Sequence, residues 1–216
     1  MVYLPSSALA TELVKRRRGH LGPALLLGNP TQDLAEAERE VAWVAEHLAM
    51  RDLPVHTFVG AQATTACMAV HAPTAALLHF AGHTQLARED FLRSGLELAD
   101  RRLTVPDVMT TVDLRQAALV YLSSCDSAQA VPGHTEELLA LARAFVYAGA
   151  PTVLATLWAL DDAAGAHFAD YFYQAWVGAG QPLAHAFQQA MQRLKARLRY
   201  AHPFYWAPFV LLGAWR

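Results

Sequence analysis

Residues 75–84 read AALLHFAGHT and residues 117–127 read AALVYLSSCDS. Each opens as a short, wholly apolar run and then turns polar. A run of that length without alternation is a strand buried on both faces. The first, Ala75–Phe80, is expected to break at Ala81-Gly82, and the second, Ala117–Leu122, at Ser123 and Ser124. The same plan recurs outward in both directions. ALLLG at 24–28 is a strand closed by Gly28, Asn29 and Pro30, Val55–Val59 is another, TVLATL at 152–157 a further one, and Phe209–Leu212 the last. Gly95–Leu98 reads as one arm of a hairpin.

Between these strands the hydrophobic spacing becomes helical. Residues 32–51 interleave Glu36, Glu38, Arg39 and Glu40 with Leu34, Ala37, Val41, Val44 and Leu48, the pattern of an amphipathic helix. Thr64–Val70, Glu136–Tyr147, Ala163–Val177 and Leu183–Leu198 are further helices, the second of them closed by Gly149 and Pro151. Buried strands alternating with helices predict an α/β fold whose mostly parallel central sheet is covered on both faces. No repeat, linker or low-complexity stretch divides the chain, so residues 1–216 are read as a single domain.

Composition narrows the function. Hydrophobic residues make up 54% of the 216, charged residues 17%, and mean hydropathy is +0.18, values that exclude disorder and suit either much buried strand or a surface covered by a partner. Net charge is −2 with a pI of about 6.5, which removes the electrostatic reason to expect a nucleic-acid or anionic-membrane partner. The basic run Lys15-Arg16-Arg17-Arg18 is short and isolated, and reads as a solvated helix end. Two cysteines, Cys67 and Cys125, are too few for a disulfide framework, which points to a reducing, cytoplasmic setting. The first residues place their charges after the apolar part, the reverse of a secretory leader, and no apolar run is long enough to span a membrane.

In open parallel sheets, ligands bind beyond the carboxyl ends of the strands. Four strand exits carry polar groups: Asn29 and Thr31; Gly82-His83-Thr84; Ser123-Ser124-Cys125-Asp126-Ser127; and Trp158 with Asp161-Asp162. If the second and third of these strands are neighbours, His83 and Cys125 share one rim. A thiolate is a nucleophile, and an imidazole beside it can stabilise it or protonate a leaving amine. Main-chain N–H groups of Gly82, Thr84 and Cys125 are candidate donors to an oxyanion. Read alone, Cys125 could be a small buried hydrophobe, although four polar neighbours do not suit a core. Read alone, His83 could be a satisfied turn histidine.

Other residues carry plainer readings. His79 and His83 are four apart, but the segment lacks the glutamate of a zinc-binding helix, and His79 is expected inside the sheet. Cys67 lies in a run of Ala, Met and Val and is structural. Asp162 is expected to cap the helix that begins at Ala163. Asp126 is either a carboxylate at a helix start or an acid of a substrate pocket. The aromatic tail Phe204, Tyr205, Trp206, Phe209 and Trp215 reads as core and sheet edge. Dinucleotide, P-loop and serine-hydrolase motifs do not occur.

HFAGHT, LSSCDSA, LLALARAFVYAGAPTVLATLWALDDAA and YWAPFVLLGAW together resemble the CHAT domains, caspase-like domains often joined to tetratricopeptide repeats. The GNP turn, the DLAEAEREV helix and the SGLELAD hairpin match as well, so the resemblance runs from Val2 to Trp215. It implies a caspase-like three-layer α/β/α sandwich and cleavage of a protein substrate by a Cys-His dyad, with no cofactor. His83 matches the family histidine and Cys125 the nucleophile. The loop after the fourth exit, with Trp158 and Asp161, matches the substrate loop, where an acid could pair with a basic P1 side chain. A regulatory partner or repeat region, and a role in bacterial defence or programmed cell death, are further implications. Three departures stand out. Thr84 replaces the usual Gly after the histidine, which would set a β-branched side chain beside the pocket. Pro132-Gly133-His134-Thr135-Glu136 replaces an acidic pair with Gly, in a loop expected to be mobile. Family members also carry strands upstream of the VYLPS segment. Two other readings stay open: a catalytically silent caspase-like interaction domain, and an unrelated α/β binding domain using the same rim.

Overall fold

The computed structural model describes residues 2–3, 22–87, 90–126, 135–158 and 160–214. The basic run Lys15–Arg18 and most of the 132–136 loop therefore lie outside the described residues. The strands are β1 (Val2–Tyr3), β2 (Ala24–Gly28), β3 (Val55–Val59), β4 (Leu77–Gln85), β5 (Gly95–Glu97), β6 (Arg102–Thr104), β7 (Leu119–Asp126), β8 (Thr152–Thr156) and β9 (Phe209–Gly213). They lie in the order β1-β9-β8-β7-β4-β2-β3, with the β5–β6 hairpin attached to β4. Ladders β3–β2, β2–β4, β4–β7 and β7–β8 are parallel. The direction changes at the far edge, where β9 runs antiparallel to β8 and β1 pairs parallel with β9, and at the hairpin, where β5 runs antiparallel to both β4 and β6.

Side chains alternate across each strand, and so build two cores. Leu25, Leu27, Leu78, Phe80, Val120 and Val153 belong to one, Leu26, Leu77, Leu119, Tyr121 and Leu154 to the other. Helices α1 (Ala35–Ala49), α5 (Asp162–Tyr173) and α6 (Leu183–Ala196) cover the second through Val41, Val44, Phe168, Phe172 and Phe187. Helices α2 (Thr65–His71), α3 (Val105–Thr111) and α4 (Thr135–Tyr147) cover the first through Met68, Val108, Leu141 and Phe145. The result is a three-layer α/β fold, as the alternation of buried strands and helices predicts, and it agrees with the caspase-like sandwich that the family resemblance implies.

The differences from the sequence reading have local causes. Strands β4 and β7 do not stop at Gly82 and Ser123, because their ladder continues from Ala81↔Ser123 to Thr84↔Asp126. Paired backbone groups hold those polar residues in strand geometry despite weak β propensity. Helix α3 is not marked by periodicity. It is set by its start, where Thr104 accepts from the Asp107 N–H while Asp107 accepts from the Thr104 N–H, with Pro106 in the first turn. The helix expected over 163–177 passes into a π-helical turn at Gln174–Gly178.

Phe168 is fully buried and stacks on Phe209 with ring centroids 3.5 Å apart, joining α5 to β9. Phe168→Ala is expected to lower unfolding stability by about 3–5 kcal/mol, measured by denaturant titration.

Candidate active site

The β4–β7 ladder sets the position of the two candidate residues, His83 and Cys125. His83 and Cys125 are Cα partners in it, one pair before its last, Thr84↔Asp126. Positions in register on adjacent strands lie on one face of a sheet. Here it is the α1/α5/α6 face, since His83 follows Leu77, His79 and Ala81 at even spacing, and Cys125 follows Leu119, Tyr121 and Ser123. The side chains of Cys125 and Asp126 lie outside the described residues.

A carboxylate orients the imidazole. His83 Nε2 stands 3.0 and 3.1 Å from the two oxygens of Asp33, which sits in the turn between β2 and α1. Asn29 shapes that turn in a left-handed backbone conformation (φ 47°), donating from Nδ2 to Glu38 and accepting the Leu34 N–H at Oδ1. The Thr31 hydroxyl donates to Asp33 and, with His83 adding to the effect, holds that carboxyl below its ordinary value. Because Nε2 is engaged, Nδ1 is the free nitrogen of His83. It is buried and has no hydrogen-bond partner among the described residues.

Beneath the rim lies a buried polar cluster. Glu40 points inward from α1 and is 3% exposed. Its Oε2 accepts the Ser123 hydroxyl at 2.9 Å, two residues before Cys125. Its Oε1 is 3.0 Å from His79 Nε2, off the line of a hydrogen bond. His79 is wholly buried, and its Nδ1 shares a 3.1 Å hydrogen bond with the Tyr173 hydroxyl. Burial pushes the Tyr173 phenol well above its ordinary value, so it stays protonated and can donate to Nδ1. One oxygen of this deep carboxylate is occupied by the Ser123 hydroxyl, and the other faces the His79 ring. Helix α1, strand β4, strand β7 and helix α5 are thereby tied together at one carboxylate.

A pocket opens at Gly82, lined also by Glu40, Ser123, Asp162 and Gly165. The helix cap lies one residue earlier than expected: Asp161, not Asp162, accepts the Ala164 N–H at 2.9 Å. One oxygen of Asp161 holds the start of α5, and Asp162 is the one that lines the pocket. Burial, and then the Asp161 charge, raise the Asp162 carboxyl, while His83 pulls it the other way. Gly165 keeps α5 close, since a Cβ there would lie 3.0 Å from Leu160 and 3.6 Å from the Ser123 oxygen.

Thr84 departs from expectation. It follows His83 on a pleated strand and so faces the opposite side, where it is 1% exposed, so its methyl does not flank the histidine. Gly82 lies one residue past the end of the β2 ladder at Gly28↔Ala81, while still paired with Ser124 of β7. Trp158 follows β8, is exposed, and donates from Nε1 to the Phe204 carbonyl at 3.1 Å. Cys67 is remote, half-buried in α2, with Sγ donating to the Thr64 carbonyl, and burial raises its thiol. Asp33 and Glu40 are the contributors that the sequence reading missed. Asp33 lies two residues beyond the Thr31 exit, and Glu40 interrupts the inward apolar face of α1 formed by Ala37, Val41 and Val44.

A family model described as the CHAT domain matches residues 1–214. Tetratricopeptide repeat protein 28 is 35% identical over 118 residues in Mus musculus and 33% identical over 117 in Homo sapiens, about 54% of this chain in each case. The match spans only 5% of the length of those relatives. Among solved structures, the Saccharomyces cerevisiae separase–securin complex superposes with a TM-score of 0.66 at 16% identity, over 97% of this chain and 14% of that one. The Arg-specific cysteine proteinase gingipain R superposes with a TM-score of 0.63 at 12% identity, over 95% of this chain and 51% of that one. At such identities the likeness shows the shared fold.

The Glu40 cluster makes a stability prediction. Glu40→Ala strands the Ser123 hydroxyl and the His79 ring in the interior and is expected to cost about 3–5 kcal/mol in denaturant unfolding. Glu40→Gln, which keeps an acceptor for Ser123, is expected to cost clearly less.

Proposed function

The chain belongs to the CHAT domain family, and on that footing we propose that it is a caspase-like cysteine endopeptidase acting on a protein substrate. The observation that carries this reading is the backbone register that pairs His83 with Cys125 at the carboxyl end of the central strands. The Cys125 thiolate attacks the scissile carbonyl carbon. The negative charge moves to the carbonyl oxygen, where main-chain N–H groups of Gly82, Thr84 and Cys125 are the candidate donors. As the C–N bond breaks, His83 gives a proton from Nδ1 to the departing amine. Water then attacks the thioester, His83 taking its proton, and the acid product and free thiol are released. Asp33 acts through His83. Held at Nε2, the ring keeps Nδ1 turned toward the site.

Substrate residues would meet acids and an aromatic group. Asp126 and Asp161 are the proposed partners of a basic P1 side chain, with Trp158 beside them on the loop after β8. Asp162 joins them because it lines the pocket at Gly82. The relatives are named as tetratricopeptide repeat proteins and the solved separase is in complex with securin, and both support the idea that a repeat region or partner regulates this domain. A reducing cytoplasm, where both thiols stay free, and a role in bacterial defence or cell death belong to the same proposal. No helix among the described residues is long and apolar enough to cross a membrane.

Two experiments test the reading. Iodoacetamide should alkylate Cys125 quickly at neutral pH and Cys67 slowly, since burial raises the Cys67 thiol. His83→Ala should slow the Cys125 reaction, and Asp33→Asn should slow it less; equal rates at both thiols would leave the silent interaction domain as the better description. In a panel of peptides varied at P1, basic P1 residues should be cleaved best, and the preference should weaken in Asp126→Ala, Asp161→Ala or Asp162→Ala. A neutral preference unchanged in all three variants rejects the acidic pocket.

A further inference from the structure

Charge is unevenly spread along the chain. Residues 171–216 hold Arg193, Lys195, Arg197, Arg199 and Arg216 and no Asp or Glu, although the net charge of the whole is −2. Four of these cations follow one another through the last turns of α6 and the short turn Leu198–Tyr200. The structure lays each on an aromatic ring. The Arg193 guanidinium is 4.0 Å from the Tyr171 centroid, Lys195 Nζ is 4.9 Å from that of Trp206, and Arg197 and Arg199 are 5.8 and 5.4 Å from that of Tyr200. Such stacking fixes long side chains without neutralising them.

The neighbouring carboxylates are already engaged. On α5, Asp170 pairs with His47 at 2.7 Å, and on α1, Glu36 pairs with Arg39 at 2.9 Å. Lys195, Arg197 and Arg199 are exposed and have no carboxylate partner among the described residues. Between them Leu198 is 94% exposed, and nearby Phe204 is 41% exposed. An aliphatic side chain so fully in water, ringed by cations held on aromatic rings, is a surface prepared for contact. It reaches the sheet rim as well, because the Phe204 carbonyl accepts the Trp158 indole N–H just beyond β8.

We propose that this face, Lys195, Arg197, Leu198, Arg199 and Phe204, docks an acidic protein segment whose carboxylates flank an apolar side chain. The carboxylates meet the arginines and the lysine, and the apolar group covers Leu198 and Phe204. Charge complementarity selects the partner. A single-stranded nucleic acid fits less well. Bases need free aromatic faces, and here the chain's own cations take faces of Tyr200 and Trp206, while Leu198 offers none.

Fluorescence anisotropy of a labelled acidic peptide of glutamate, leucine and glycine tests this without reference to cleavage. The peptide should bind the full chain, and binding should weaken as salt is raised. It should weaken by about tenfold or more in Arg197→Ser/Arg199→Ser and also in Leu198→Ser. Leu198 is almost wholly exposed, so its variant keeps the fold, which circular dichroism verifies. Absent binding, affinity unchanged in both variants, or tighter binding of an oligodeoxythymidine of equal charge would overturn the proposal. So would sedimentation showing that the same residues instead hold two copies of this chain together.

Discussion

Backbone pairing between β4 and β7 is the constraint on which the rest depends. It runs unbroken from Leu77↔Leu119 to Thr84↔Asp126, longer than any other ladder in the sheet. Its inner part is ordinary buried strand, and its outer part carries glycine, histidine, serines and cysteine. Hydrogen bonds between main-chain groups do not depend on side chains, so they continue where hydrophobicity ends. A scaffold made by the interior thus sets His83 and Cys125 at a fixed register, which loops alone would not supply.

Around that ladder the polar groups form a layered support. At the rim, Asp33 grips one nitrogen of His83. One layer down, Glu40 takes the Ser123 hydroxyl and faces His79, whose far side meets Tyr173. The even spacing of His79 and His83, and of Ser123 and Cys125, puts both layers on one face of the sheet. A change in the lower layer would therefore be felt at the upper one through a single strand pleat rather than through a long path.

Much of the fold was legible in the sequence because burial on both faces leaves unbroken apolar runs. ALLLG is β2 in full, and most of AALLHF, AALVYL and TVLATL lies in β4, β7 and β8, which begin at Leu77, Leu119 and Thr152. What stayed hidden has one cause: it depends on partners remote in the chain. Nothing local to Glu40 says that Ser123 and His79 await it, so its charge reads as part of a solvated helix face. Asp33 meets His83 only after the sheet has formed. The cap at Asp161 and the start of α3 are decided by hydrogen bonds of single residues, which periodicity does not register. Strand direction at β9 is also invisible locally, since a buried run reads the same both ways. The pairing of His83 with Cys125 was inferable only by assuming that their strands were neighbours, and the ladder supplies that adjacency.

The outer edge of the sheet has a kinetic meaning. Val2 and Tyr3 pair with Leu211 and Leu212, so this ladder closes a loop spanning almost the entire polypeptide. Among the described strand pairings, joining such distant segments carries the largest loop-closure cost. The rest of the sheet can assemble from nearer pieces, so this margin is the natural last step of folding. It is also the natural first place for amide hydrogens to exchange with solvent.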